Sequence, residues 1–233
     1  MGVGPGDRVL EIGPGLGSLT LALVQTGAHV LALELDRALL PALAEVVGWT
    51  ARVRVEHGDA MQVDWPALLG EEGWKMASNL PYNVAVPVVL RLLEDAPRVD
   101  PLLVMVQREV GERLAAGPGD PQHGAVSLKV AYRASPRIVR RIPRTVFWPE
   151  PRVESVLVRL DRRRPPVPTP EDELFRLVDE GFRQRRKTMA NALVRLGHRR
   201  EEATDAIRRA GLDEGVRAEA LGLEDFARLA AAL

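Results

Sequence analysis

A glycine-rich turn between a strand and a helix is the tightest constraint that this chain places on its own fold. Arg8 to Ile12 has the apolar character of a buried strand and ends in Glu11, Ile12, Gly13, Pro14, Gly15, Leu16 and Gly17. From Leu19 to Val24 apolar residues follow with helical spacing. Glycines in such a turn let the backbone come close to a bound cofactor. A dinucleotide fingerprint would place its third glycine at position 18, which is Ser18, so the dinucleotide reading loses ground. Two further strands follow. His29 to Leu35 carries Glu34 near its end, where an acidic residue can accept hydrogen bonds from a ribose diol. Arg52 to Glu56 runs into Gly58, Asp59 and Ala60, and Asp59 there could accept from the amino group of a cofactor adenine. Each feature has a plainer reading, as a tight turn, a solvated strand end or a cap. Their order at successive strand ends favours an α/β domain that binds S-adenosylmethionine.

A fourth strand-like run, Trp74 to Ser78, leads into Asn79, Leu80, Pro81 and Tyr82, and an apolar helical segment from Val84 to Leu93 follows. Open α/β sheets bind ligands at such carboxyl strand ends. The residue types suit methylation of an exocyclic amine. The amino nitrogen of adenine is a poor nucleophile because its lone pair is delocalised into the ring, and two acceptors facing its hydrogens would draw it towards a tetrahedral shape. Asn79 offers a side-chain oxygen and Leu80 a backbone carbonyl, while Pro81 restrains Leu80 to an extended geometry. Tyr82 is suited to stacking on the base. Taken alone, an Asn before a Pro can simply start a turn, and a Tyr after one can simply pack.

With these residues in place, the chain resembles the ribosomal RNA adenine N6-dimethyltransferases. Phe147, Pro149, Pro151, Val153 and Ser155 match that family's Phe-x-Pro-x-Pro-x-Val-x-Ser segment. Gln184, Arg185, Arg186, Lys187, Thr188, Asn191 and Leu193 match its Arg-Arg-Lys-Thr-x-x-x-Asn-x-Leu segment, which is similar to the housekeeping branch. The resemblance implies a class I S-adenosylmethionine-dependent methyltransferase fold, Rossmann-like with a seven-stranded sheet, followed by a small helical domain. It implies Asn79, Leu80, Pro81, Tyr82 and Phe147 as catalytic residues, with Tyr82 and Phe147 holding the flipped base by aromatic contact. It implies Glu11, Gly13, Gly15, Gly17, Glu34, Asp59, Ala60 and Asn79 around the cofactor. The expected substrate is a small-subunit (16S) rRNA hairpin with two adjacent adenosines, met in the immature 30S subunit. Family members carry a leader with a Gly-Gln-x-Phe-Leu type segment that closes over the cofactor, whereas seven residues precede the first strand here. A large-subunit rRNA methyltransferase of the antibiotic-resistance type, a DNA or small-molecule methyltransferase and a non-catalytic assembly factor remain as alternatives.

Charge is distributed unevenly. The chain has 32 Lys and Arg against 32 Asp and Glu, but residues 1–100 hold 7 against 13. Lys129 to Arg164 holds 11 against 3, and Arg176 to Arg200 holds 8 against 2. Such clusters suit a phosphate backbone, and Arg185, Arg186 and Lys187 are the expected RNA contacts. The chain has no cysteine, and its four histidines show no ligand spacing, so neither a disulfide nor a metal site is expected. No apolar run is long enough to span a membrane, and a cytoplasmic monomer is expected.

The expected domain division is contiguous. Residues 1–161 form the cofactor-binding catalytic domain, 162–170 a linker with three arginines and four prolines, and 171–233 a helical RNA-binding domain. Leu102 to Val106 is read as a fifth strand, and Ile138 to Ile142 with Val153 to Leu160 as a hairpin completing the sheet. Helical patterns follow at Leu174, Phe175, Val178 and Phe182, at Met189, Leu193 and Leu196, and at Ala203, Ala206 and Ile207 up to Gly211.

Overall fold

A computed structural model describes residues 1–81 and 83–233 and divides the chain into two compact units. The first comprises residues 1–111 and 135–162, the second residues 112–134 and 163–233.

The first unit is built on one seven-stranded sheet. Its strands are β1 (Arg8–Ile12), β2 (His29–Glu34), β3 (Val53–His57), β4 (Trp74–Asn79), β5 (Val99–Gln107), β6 (Ala134–Ile142) and β7 (Ser155–Arg162). They lie in the order β3-β2-β1-β4-β5-β7-β6. The pairs β1 with β2, β1 with β4, β2 with β3 and β4 with β5 are parallel, and β7 runs antiparallel to β5. Strands covered on both faces read as continuous apolar runs, which is why β1, β2 and β4 are legible in the sequence. The order reverses between β1 and β4, and that reversal opens a crevice at their carboxyl ends.

Helices α1 (Ser18–Gln25), α2 (Leu40–Val47), α3 (Trp65–Leu69) and α4 (Ala85–Asp95) follow the first four strands. On one face Leu23 and Val24 of α1 pack against Val9, Val30, Ala32 and Ala77 of the central strands. Helix α3 spans only five residues. Asp64 caps it by accepting from the Ala67 N–H at 3.0 Å, with Pro66 in its first turn.

Arg162 is expected to open the linker, yet its side chain is anchored in the first unit. Its guanidinium donates to the carbonyls of Leu92, Leu93 and Ala96 at the end of α4 and to Val99 O, at 2.6–2.9 Å. Leu93 O lies in the last turn of α4, where carbonyls lack intrahelical partners, while Leu92 O and Ala96 O also accept from the Ala96 and Val99 N–H groups at 3.0 Å. The next residues belong to the second unit, where Val167 is buried in the core.

The second unit is helical. It contains α6 (Ala125–Arg133), α7 (Glu171–Arg183), α8 (Met189–Arg195), α9 (Arg200–Arg209) and α10 (Leu223–Ala231), while α5 (Arg108–Ala115) carries the chain across the boundary at Gly111 and Glu112. Leu128, Tyr132, Leu174, Val178, Met189, Leu193, Ile207 and Phe226 are among its core side chains. Helix α7 has Glu171, Asp172 and Glu173 in its first turn and Arg183 in its last, an arrangement that complements the helix dipole. The compact units therefore replace the contiguous boundaries expected from sequence. Residues 112–134 pack with the carboxy-terminal helices because Leu128 and Tyr132 join their core. No helix among the described residues is long and apolar enough to cross a membrane.

Candidate active site

The turn after β1, at the strand reversal, carries three glycines, each with a left-handed backbone and each in different surroundings. A Cβ on Gly13 (φ 69°) would lie 3.4 Å from the Pro81 ring, so the turn after β1 and the loop after β4 meet there. Gly17 (φ 85°) begins α1, and a Cβ on it would lie 3.0 Å from Leu43 Cδ1, so the missing side chain admits α2. Gly15 (φ 58°) faces open space, where its missing side chain leaves the backbone accessible to a ligand.

Two carboxylates fix this turn. Glu34 is buried at the end of β2, and its Oε2 accepts from the Gly15 N–H at 3.1 Å while Oε1 accepts from the Asp36 N–H at 2.9 Å. Glu11 is only 2% exposed and accepts from the Thr20 hydroxyl at 2.7 Å, which ties β1 to α1. Burial pushes its carboxyl up to about 7. The Thr20 hydrogen bond opposes that shift, and the charge of Glu34 adds to it.

Beyond β3, Asp59 closes a turn. Its Oδ1 accepts from the Met61 N–H and its Oδ2 from the Gln62 side chain, both at 2.8 Å, and Ala60 beside it is buried. The Gly58 N–H donates to Glu34 O at 3.0 Å, so the ends of β2 and β3 are joined directly.

Asn79 is the last residue of β4 and is exposed. Among the described residues nothing holds its side-chain amide. The backbone around it is fixed, with Asn79 in register with Met105 and the Leu80 N–H donating to Met105 O at 3.1 Å. The Leu80 side chain is fully buried, anchoring the loop, and Pro81 is exposed on its crevice side with its ring against Gly13. Tyr82 lies outside the described residues. Ser78 and Thr20 are positioning residues that the sequence reading misses. The Ser78 hydroxyl accepts from the Ile12 N–H at 2.8 Å, which locks the end of β1 to the end of β4.

Because β7 is antiparallel, its first residue lies at the carboxyl end of the parallel strands. Ser155 pairs with Gln107, and Leu157 pairs with Met105, the same residue that pairs with Asn79. Phe147 to Glu154, which lead into β7, therefore reach the same edge of the sheet as Gly13 and Asn79. Phe147 is half-buried after a short 3-10 turn over Arg144–Val146. The Arg108 N–H donates to Glu154 O at 2.9 Å, and the Arg108 side chain pairs with the Glu154 carboxylate at 2.6 Å, which holds the segment to the end of β5.

Arg185, Arg186 and Lys187 belong to the second unit. They occupy the turn between α7 and α8, all three exposed. The turn is shaped by its own motif: Asn191 Nδ2 donates to Thr188 Oγ1 at 2.9 Å, and Leu193 is in the core. Arg185 is engaged, donating to His123 O at 2.8 Å and Pro121 O at 3.3 Å. Among the described residues no ion pair holds Arg186 or Lys187, and the acids nearest in sequence are taken, Asp179 by Lys129 and Glu180 by Arg195 and Arg183.

Comparison with known proteins places this chain in a family. A family model described as ribosomal RNA adenine dimethylase matches residues 2–233. The chain is 43% identical to ribosomal RNA small subunit methyltransferase A of Moorella thermoacetica, over 99% of this chain and 84% of that one. It is 47% identical to the protein of the same name from Thermobifida fusca, over 98% and 81%. Its fold is similar to a dimethyladenosine transferase from Plasmodium falciparum (TM-score 0.79, 22% identity, 97% and 90% covered). It is also similar to the 23S rRNA methyltransferase ErmE (TM-score 0.73, 23% identity, 99% and 92% covered). The chain belongs to the ribosomal RNA adenine dimethylase family.

Proposed function

We propose that this protein is an S-adenosylmethionine-dependent rRNA methyltransferase that dimethylates N6 of two adjacent adenosines in a small-subunit rRNA hairpin. Membership of the family, with near-complete coverage of relatives named small subunit methyltransferase A, supports that reaction over the large-subunit alternative. The substrate in the cell is the immature 30S subunit, and the enzyme acts as a cytoplasmic monomer.

The residues present fit the cofactor. Gly15 offers backbone with no side chain in the way, Glu34 stands at the strand end suited to a ribose diol, and Asp59 with Ala60 forms the turn suited to the adenine. Each of these carboxylate oxygens accepts one protein hydrogen bond and keeps further acceptor capacity. Gly13, Gly17 and Glu11 shape the cradle, through Pro81, α2 and Thr20 respectively. When bound, S-adenosylmethionine supplies an electrophilic methyl group on a sulfonium.

The observation that carries the reading is Asn79, whose amide no described residue holds although its backbone is fixed by Met105. Asn79 Oδ1 and the Leu80 carbonyl accept from the two amino hydrogens of the adenine and localise the nitrogen lone pair. Tyr82 and Phe147 hold the ring. Alignment does most of the work, since the cationic product amine loses its proton after transfer and no general base is needed. Asn79→Ala should leave cofactor affinity within about 3-fold, yet lower methyl transfer to immature small subunits by about 100-fold or more, as expected for an interaction made mainly in the transition state. Near-normal turnover would remove the mechanism.

A further inference from the structure

The connection between β6 and β7 carries an exposed aromatic that the reaction does not use. Trp148 is 97% exposed, with Val146 at 62% and Val153 at 41% on either side of it in sequence. Phe147 has extended backbone (φ −108°, ψ 147°), and in extended chain consecutive side chains point to opposite sides. The alternation is visible in burial, since Phe147 is half-buried and Trp148 stands in solvent. Phe147 and Trp148 therefore face opposite sides of one backbone segment, within reach of neighbouring nucleotides of a single strand.

The charge around this aromatic is specific. Strand β6 is the edge of the sheet, and from Arg137 to Arg141 every residue is exposed on both faces. The acids of the segment are all engaged. Glu150 pairs with Arg144 at 3.5 Å, Glu154 with Arg108 at 2.6 Å, and Asp161 with Arg159 at 2.6 Å and Arg137 at 3.5 Å. Among the described residues Arg140, Arg141 and Arg152 have no ion pair, and all three are exposed. Arginines on an edge strand also deter edge-to-edge pairing, which accounts for those on β6 but not for an indole left in water. An exposed aromatic face in the same hairpin as unpaired guanidinium groups has the makings of a single-stranded nucleic-acid platform, on which bases stack while cations take the phosphates.

We propose that Trp148 stacks on an unpaired base next to the target adenosine, with Arg140, Arg141 and Arg152 holding the flanking phosphates. This rests on the methyltransferase reading and adds to it a second aromatic platform, outside the reacting centre, that sets RNA affinity. Trp148 is thus a substrate-binding residue and takes no part in the chemistry.

The test measures binding of a small-subunit rRNA hairpin with two adjacent loop adenosines across a salt series, alongside kcat and KM for methyl transfer, cofactor affinity and melting temperature. Trp148→Ala and Trp148→Leu should each weaken RNA binding by roughly 5- to 100-fold, the range for removal of one base–aromatic stack. KM for RNA should rise with kcat within about 3-fold, because an interaction of equal strength in ground and transition states acts on KM. Trp148→Tyr should stay within about 3-fold of the native protein, since every aromatic face can stack. Replacing Arg140, Arg141 and Arg152 together with Gln should flatten the salt dependence by about 0.7 to 0.9 in log-log slope for each phosphate no longer neutralised, whereas Trp148→Ala should leave the slope unchanged. RNA binding by Trp148→Ala equal to native, or rescue by Leu as full as by Tyr, would overturn the proposal while leaving the methyltransferase reading intact. If the native protein neither binds nor methylates the hairpin or immature subunits, that reading falls and the proposal with it.

Discussion

A single carboxyl, that of Glu11, sets a measurable condition on this fold. It is buried beside the cofactor cradle and held by one hydroxyl, and burial raises it from 4.5 to about 7. A carboxyl raised in the folded state is protonated in both states below about 4.5, so its full contribution to stability is present there. As pH rises the unfolded chain ionises first, and the contribution is lost as pH passes through about 7. The loss should approach about 3 kcal/mol, at roughly 1.4 kcal/mol for each pH unit between the two values. Glu11→Gln keeps an oxygen for Thr20 and cannot ionise. Urea unfolding without cofactor should therefore find the two proteins close at pH 5 and the Gln variant more stable at pH 8; parallel stabilities across that range would show that Glu11 stays solvated. The sequence marks Glu11 only as a member of a glycine-rich turn, because burial depends on α1 folding back over β1. The sequence offers Glu34, Asp59 and Asn79 as candidates because Glu34 and Asn79 end strands and Asp59 follows one by two residues. Ser78 is not among them, since its partner Ile12 lies 66 residues away and no local pattern joins them.

Among the elements, β1, β2 and β4 can be read to within a residue, β5 begins at Val99, three residues before the expected Leu102, and the short helices cannot be read. Helix α3 has five residues, fewer than two turns, so no period can be recognised. Helices α6 and α10 are short as well, and their stability comes from joining a shared core at Leu128, Tyr132, Leu223, Phe226 and Leu229. The segment 162–170 misleads for a related reason. Its composition is that of a tether, yet Arg162 reaches carbonyls 63 to 70 residues earlier in the chain and closes the end of α4. Arg162→Met would remove these hydrogen bonds and should lower unfolding stability by about 3 kcal/mol, the scale of losing several charge-assisted hydrogen bonds in one place. Arg162→Lys should recover only part of it, because one ammonium cannot match a planar fork that serves four carbonyls. Full recovery with Lys in a denaturant titration would show that charge near the helix end matters and the fork does not.

For the whole molecule, folding redistributes the charge that looks so uneven along the chain. Residues 1–100 carry −6, but the sheet unit takes in the arginines of β6 and β7 and holds 15 Lys and Arg against 17 Asp and Glu, while the helical unit holds 17 against 15. Neither unit is a basic body, so attraction for RNA must come from local groups that lack acidic partners. In the helical unit the turn between α7 and α8 supplies two, and its third cation differs from them. Arg185 holds the carbonyls of Pro121 and His123, whereas Arg186 and Lys187 are exposed with no ion pair among the described residues. The motif that looks like one basic cluster thus divides into a brace and two cations suited to phosphate. Replacing Arg186 and Lys187 with Gln should leave melting temperature and cofactor affinity as they are, weaken binding to immature small subunits, and flatten its salt dependence by about 0.7 to 0.9 in log-log slope for each phosphate no longer neutralised. Arg185→Gln should instead lower the unfolding free energy by about 1 kcal/mol, the ordinary worth of a hydrogen-bonded link between segments. A salt slope unchanged by the double replacement, with a fall in melting temperature, would return Arg186 and Lys187 to a structural role and leave RNA recognition to the arginines of the sheet unit.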